Sequence, residues 1–280
     1  MLGSILRLRQ WYKNLVVFLP ILFVGRLFDA HGLFLTCLGF VALCLVSSSS
    51  YIINDIADRK SDRFHPEKKL RPIASGKVKV LAAALLSSLL LVLGMGLAYF
   101  LSLGFLLAIV ALFTVSLLYT FWLKKEALVD IIVISVNFVI RAASGAFIIS
   151  VVVSPWLVLC TFFLSLFLAS GKRSADLELL KGKASKYKEV LRHYTPEATH
   201  LLAVISATLL IVAYSLYSFL SLYPWLLLTL PIALYVTLRY LFLIRSGSFI
   251  ARRPELAYKD KRLVMGILLW VMGVLLVIYI

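Results

Sequence analysis

Residues 80–123, VLAAALLSSLLLVLGMGLAYFLSLGFLLAIVALFTVSLLYTFWL, contain no charged side chain. A hydrocarbon core of roughly 30 Å is crossed by about 20 helical residues, so the stretch divides into two spans, 80–100 and 103–123. In lipid every backbone N–H and C=O must find a partner within the protein, which makes such spans helices. Further apolar runs lie at 14–28, 33–53, 127–149, 155–171, 198–218, 223–244 and 262–280. The spacing predicts an all-α, polytopic membrane protein with nine transmembrane helices, a single domain over 1–280, and none of the short alternating segments of an outer-membrane barrel.

Composition agrees. The 280-residue chain is 62% hydrophobic and 15% charged, against about 45–50% and about 25% in a soluble globular domain. Mean hydropathy is +1.00. These values exclude a soluble globule and a disordered chain. Cys37, Cys44 and Cys160 all sit inside apolar runs and read as small core hydrophobes.

The formal charge of +16 is unevenly placed. Of the 29 Lys and Arg residues, all but Arg26 and Arg141 fall on the side of the N-terminus once the nine spans are drawn. That asymmetry predicts a plasma-membrane protein whose N-terminus and three long loops are cytoplasmic. No small-residue cleavage site follows the first span, so it reads as a retained helix. The opposite-side connections are short and nearly uncharged, which leaves chemistry to the cytoplasmic loops and helix ends. Nothing in the pattern indicates a nucleic-acid partner.

The first long loop opens Asn54-Asp55-Ile56-Ala57-Asp58-Arg59-Lys60-Ser61-Asp62-Arg63. Asn54, Asp58 and Asp62 stand at i, i+4 and i+8, with Asp55 beside Asn54. If the second span continues through Asp62, the four oxygen donors share one face. Carboxylates this close repel unless cations intervene, and Mg2+ suits them because it takes one or two carboxylates and completes its shell with water and phosphate oxygens. The alternative is a solvated helix end whose acids pair with Arg59, Lys60 and Arg63. Downstream, Lys68, Lys69 and Arg71 precede Pro72-Ile73-Ala74-Ser75-Gly76-Lys77. Arg71, with its bidentate fork, is the stronger phosphate ligand; Lys77 and Lys79 read as positive-inside markers.

Asp130, Asn137, Arg141 and Ser144 form one stripe of the fifth span, at i, i+7, i+11 and i+14. An arginine at membrane depth is costly and must face the interior and find an anionic or carbonyl partner. The stripe is either the polar wall of a head-group cavity or a structural hydrogen-bond network. After the sixth span come Lys172, Arg173 and Asp176, with Lys181, Lys183, Lys186, Tyr187 and Lys188 beyond. Lys172 and Asp176 share a helical face, with Arg173 adjacent, and the group reads as an anion cradle. The basic 245–262 stretch shows no convergent acids and reads as orientation signal and lipid contact.

At Asn54-Asp55-x-x-Asp58-x-x-x-Asp62-Arg63 the chain resembles the UbiA superfamily of intramembrane prenyltransferases, whose first aspartate-rich motif has this spacing and whose fold is a nine-helix bundle. Typical members carry a second motif of three aspartates four apart after the sixth helix. The corresponding positions here are Lys172, Asp176 and Leu180, so two of those acids are replaced. That departure speaks against a prenyl diphosphate donor. Other stretches are similar to the branch that transfers phosphoribose to polyprenyl phosphate: Arg9-Gln10-Trp11-x-Lys13-Asn14, Asp62-Arg63-x-His65-Pro66, Arg71-Pro72-Ile73-Ala74-Ser75-Gly76, Tyr119, Leu123-Lys124, Val129-Asp130-Ile131, Ile140-Arg141-Ala142, Gly171-Lys172-Arg173 and Tyr194-Thr195.

The resemblance implies phosphoribosyl pyrophosphate as donor and a long-chain, decaprenyl-type polyprenyl phosphate as acceptor. The product would feed arabinose donors of the cell envelope. Mg2+ on Asn54, Asp55, Asp58 and Asp62, and a homotrimer, are implied with it. Asp58, Asp62, Arg71 and Lys172 are the implied catalytic residues. Lys13, Asn14, Asn54, Arg63, Tyr119, Lys124, Arg141, Arg173 and Asp176 are the implied substrate contacts. The competing readings are an aromatic prenyltransferase with a degenerate second motif and a transporter, although no internal repeat supports the latter.

Overall fold

The computed structural model describes residues 2–64, 67–180 and 189–280. His65, Pro66 and the basic residues between Lys181 and Lys188, singled out above, lie outside the described residues, as does the side chain of Leu180. Among the described residues the regular structure is helical, without strands. The long helices are α1 (Ala30–Ala57), α2 (Val80–Leu101), α3 (Leu103–Phe121), α4 (Val129–Ile148), α5 (Pro155–Leu180), α6 (Pro196–Leu220), α7 (Leu230–Arg245) and α8 (Lys261–Tyr279).

Eight helices among the described residues are long and apolar enough to cross a membrane, where the sequence predicts nine. The first predicted span is not one continuous helix. It divides into a 3-10 segment, Leu8–Phe18, and a short α-helix, Leu19–Phe23. Pro20, at the start of that helix, lacks an N–H to continue the preceding ladder. The 3-10 segment lies hard against α4: a Cβ on Gly145 would come within 2.1 Å of the Val17 carbonyl oxygen, so only glycine fits there.

Elsewhere helix boundaries follow local chemistry. Ser102 alone separates α2 from α3; its extended backbone breaks the helix and its hydroxyl accepts from Phe105 N at 3.0 Å, capping α3. Asp29 caps α1 through His31 N. The sixth predicted span ends at 171, whereas α5 runs on to Leu180 and carries Lys172, Arg173 and Asp176 as helical residues.

The chain forms two compact units, residues 1–124 with 137–153, and residues 125–136 with 154–280. Helix α4 thus gives its first part to the second unit and the remainder to the first. In the first unit α1 packs on α2 and α3 around Ala42, Leu43, Val46, Phe105, Ile109 and Leu112. Gly94 lets α2 approach Ala42 and Val46 closely, the small-residue contact by which membrane helices pack. Leu81, Leu85, Val92 and Phe100 of α2 point outward, as lipid-facing residues do. In the second unit α5 and α6 pack together, with Phe167, Ala203, Ala207, Tyr240 and Ile244 at the core.

Asp260 illustrates how a loop charge stabilises the second unit. Its Oδ1 accepts from Leu263 N at 2.8 Å, capping α8, and Arg239 Nη2 lies 2.7 Å from Oδ2. The hydrogen bond from Arg239 holds the Asp260 carboxyl below the usual carboxylate range. Asp260→Ala is expected to cost about 1 kcal/mol, typical of a lost cap, measured by unfolding in detergent. Because the folded pKa is depressed, the wild-type advantage is present above the ordinary carboxylate pKa of about 3.9 and fades as the pH falls through the folded value.

Candidate active site

Helix α1 ends at Ala57, and a short helical segment, Arg59–Asp62, follows after Asp58. The helical hydrogen bonds nearly persist across this junction: Asp58 N reaches Asn54 O at 2.9 Å and Asp62 N reaches Asp58 O at 2.9 Å. Helical spacing therefore brings the acids to one end of the first unit, as the motif predicts. Their surroundings differ from the expected cluster of ligands.

Each acid is met by cations. Asp55 takes Arg7 and, at 3.0 Å, Arg71; the same Arg71 Nη1 lies 2.6 Å from Asp62 Oδ2. Lys68 Nζ stands 3.9 Å from Asp62, and Lys124 Nζ 2.5 Å from Asp58 Oδ1. Asp55 and Asp62 are buried, while the Asp58 side chain is 24% exposed. Asn54 is half-buried beside them. Among the described residues no three His, Cys, Asp or Glu side chains converge as a metal ion would require. Repulsion between neighbouring carboxylates is relieved by guanidinium and ammonium groups placed between them.

Those partners are not the neighbouring Arg59, Lys60 and Arg63 of the solvated-end alternative. They come from the N-terminal segment, the 67–71 turn and the 3-10 turn Leu123–Lys125 that follows α3. Arg63, read as a substrate contact, donates from Nε to Ala74 O at 3.2 Å and so ties the helix end to the Arg71–Gly76 turn. That turn closes through Ser75 N to Arg71 O and Val78 N to Pro72 O, with Gly76 at φ 76, a conformation that favours glycine. Burial pushes the Lys68 amine down, and Arg71 adds to the effect beyond what Asp62 restores.

Arg141 faces the interior of the first unit, as its membrane depth demands, and its recorded partners are carbonyls. Nε donates to Asn14 Oδ1 at 2.9 Å and Nη1 to Asn137 O at 3.1 Å. Asn14 in turn donates to Cys44 Sγ and accepts from Ser47; Ser116 donates to Asn137. Asn14 and Arg141 are 1% and 6% exposed. Asn14, Asn137 and Arg141, all within the first unit, thus share one hydrogen-bond network. Lys13 and Tyr119 are half-buried in the same unit.

The predicted anion cradle of Lys172, Arg173 and Asp176 is not assembled. Once α5 continues past 171, adjacent residues point apart around the helix. Lys172 is exposed, whereas Arg173 is buried and donates from Nε and Nη2 to Asp130 Oδ2 at 2.9 and 2.7 Å. Tyr194 donates its hydroxyl to Asp130 Oδ1 at 2.6 Å and accepts from Leu128 N at 2.7 Å. Burial and the Asp130 carboxylate push the Tyr194 phenol well above its ordinary range. Asp176 receives Arg252 Nε at 3.0 Å, so part of the basic 245–262 stretch has an acidic partner within the second unit instead of serving only as lipid contact. Arg7 and Arg252 are participants that sequence spacing missed, and Asp130, read as part of the Arg141 stripe, is held by Arg173 and Tyr194. Each had one available signal: a charge next to or inside a span needs an opposite charge somewhere.

A profile of the UbiA prenyltransferase family matches residues 15–257. The chain is 35% identical to a decaprenyl-phosphate phosphoribosyltransferase of Mycolicibacterium smegmatis, over 95% of this chain and 88% of that one. It is 32% identical to a protein of the same name from Corynebacterium glutamicum, over 98% and 86%. Among solved structures, a UbiA homolog from Archaeoglobus fulgidus bound to GPP and Mg2+ superposes with a TM-score of 0.76 at 20% identity, covering 99% of this chain and 98% of the other. The aspartate spacing at 54–62, the bundle of long apolar helices and the match over most of its length lead to one assignment: the chain belongs to the UbiA prenyltransferase family.

Proposed function

We propose that the protein transfers 5-phosphoribose from phosphoribosyl pyrophosphate to a long-chain polyprenyl phosphate, with Mg2+, releasing diphosphate. The observation that carries this reading is the replacement of the family's second acidic motif by Lys172, Asp176 and Leu180. A sequence that keeps acids at the first motif and carries a cation in the second suits an acceptor that brings its own negative charge. The relatives named as phosphoribosyltransferases support the same reading.

Asp58 and Asp62 fit Mg2+ by donor chemistry, being hard oxygen ligands beside cations that match phosphate, and Mg2+ needs only one or two carboxylates. They would hold it with Asn54 and Asp55 near the shell, and the ion would supply charge neutralisation on the leaving diphosphate. Arg71 and Lys124, now on the carboxylates, are assigned to diphosphate oxygens, and exposed Lys172 to the acceptor phosphate. The bond between ribose C1 and the diphosphate oxygen breaks, and a bond from C1 to an acceptor phosphate oxygen forms on the opposite face, with inversion. No general base is needed, because a phosphate monoester is anionic at neutral pH, its second pKa being about 6. The guanidinium and ammonium groups stabilise the charge that collects on the departing oxygens.

The asymmetry of Lys and Arg supports cytoplasmic basic loops and a cytoplasmic site, and the product is assigned to the supply of arabinose donors for the cell envelope. A homotrimer belongs to the same reading. A donor-exchange assay tests the proposal. Purified protein with Mg2+ should convert polyprenyl phosphate when given phosphoribosyl pyrophosphate, and give no product from a prenyl diphosphate and an aromatic acceptor. Efficient prenylation would overturn it.

A further inference from the structure

A second feature of the first unit lies beside the acids. The N-terminal segment and Arg71 line an open cavity of about 670 Å³, with Gly3, Ser4, Arg7, Arg9, Gln10 and Arg71 among its walls. That volume lies within the range of about 300–1,000 Å³ typical of small-molecule sites. Among the described residues its lining holds no carboxylate.

The cavity is built, not a gap under a loose terminus. Ser48 of α1 donates to Leu6 O at 2.8 Å and accepts from Trp11 Nε1 at 3.1 Å, fixing the segment on either side of Arg7. Arg7 itself is held in the left-handed region, φ 50 and ψ 48, its guanidinium paired with Asp55 and lying over the Tyr51 ring at 5.1 Å. A non-glycine residue keeps such a backbone only where its surroundings over-determine it, a condition that clusters at ligand sites. Gln10 N closes the turn onto Arg7 O at 2.7 Å.

The charge of the lining indicates an anionic ligand. Arg7 and Arg71 line the cavity and pair with Asp55, Arg71 also with Asp62, and exposed Arg9 adds a third cation to a lining without a carboxylate. The surplus of positive charge matches a phosphomonoester, which carries about −1.5 to −2 at pH 7. Arg71 belongs both to the cavity wall and, through Nη1, to the acid cluster. A ligand with a diphosphate at one end and a phosphomonoester at the other fits that shared wall, whereas a polyprenyl phosphate has only one anionic end.

We propose that this cavity is a phosphomonoester site that takes the 5-phosphate of the ribosyl donor, with Arg9 and Gln10 as its specificity-determining residues. The inference rests on the phosphoribosyl reading above and adds to it the place where the donor is told apart from a prenyl diphosphate.

The test uses the full chain in detergent and ribose 5-phosphate, which has the 5-phosphate but no leaving group. Wild-type protein should bind ribose 5-phosphate and not ribose. Arg9→Gln should weaken that binding about tenfold, the loss expected for one charge-assisted hydrogen bond, with Arg9→Lys intermediate and the unfolding temperature unchanged. In turnover, Arg9→Gln should raise KM for phosphoribosyl pyrophosphate by a similar factor with kcat retained. Equal binding of ribose 5-phosphate by wild type and Arg9→Gln would overturn the proposal. So would a loss confined to polyprenyl phosphate, which would assign the cavity to the lipid acceptor. The binding arm needs no turnover, so failure of phosphoribosyl transfer and failure of the cavity register in separate measurements.

Discussion

Asp58→Ala is expected to lower phosphoribosyl transfer by about 10³-fold, the scale seen when a group that stabilises transition-state charge is removed, while the protein remains folded. The separation of activity from stability follows from the site. Asp58 is the most accessible acid of the motif, and its recorded partner is Lys124 at 2.5 Å, both side chains being partly exposed. Such a pair contributes about 0–1 kcal/mol to folding. Asp62 is the contrast: 3% exposed and bridged by Arg71, its replacement should reduce activity and stability together. Rates of lipid labelling, measured beside unfolding in detergent, check both expectations. Near-normal turnover of Asp58→Ala would remove that residue from the metal role.

The second large effect is expected at a place where the proposed chemistry gives no role to the residue. Asp130 is fully buried and accepts from Arg173 twice and from Tyr194 once. Asp130→Asn leaves Arg173 as a buried charge without its counter-ion, a change that costs about 3–5 kcal/mol. Unfolding in detergent should show a large loss of stability. The double variant Asp130→Asn/Arg173→Met removes both charges and should recover much of it, since replacing a whole buried pair by apolar groups is often neutral. Tyr194→Phe loses two hydrogen bonds, the one donated to Asp130 Oδ1 and the one accepted from Leu128 N, and should cost about 1–3 kcal/mol. A wild-type unfolding profile for Asp130→Asn would contradict the ion-pair account.

The apolar runs were legible because lipid imposes both length and helicity, and the described boundaries of α2 and α3 differ from the reading by a few residues at most. The first span was not, because hydropathy cannot see that Pro20 restarts the helix or that Val17 O lies against Gly145. Within the site, the i, i+4, i+8 rule found Asn54, Asp58 and Asp62, since it is a property of one helix. It could not find Arg7 for Asp55 or Asp130 for Arg173, which are 48 and 43 positions apart. Lys172 and Arg173 were misread as one cradle for a related reason. Spacing along α5 cannot show that Arg173 turns to Asp130 and that Asp176 receives Arg252, partners that lie 43 and 76 positions away.

The central claim is that ribose, and not the diphosphate, moves to the lipid. Two preparations of phosphoribosyl pyrophosphate, one labelled in the ribose and one in the β-phosphate of the diphosphate, incubated with the protein, Mg2+ and polyprenyl phosphate, separate the possibilities. The account predicts that ribose label enters the lipid while the β-phosphate label appears only as free diphosphate. Label in the lipid from the β-phosphate donor, or no labelled lipid from either, would contradict it.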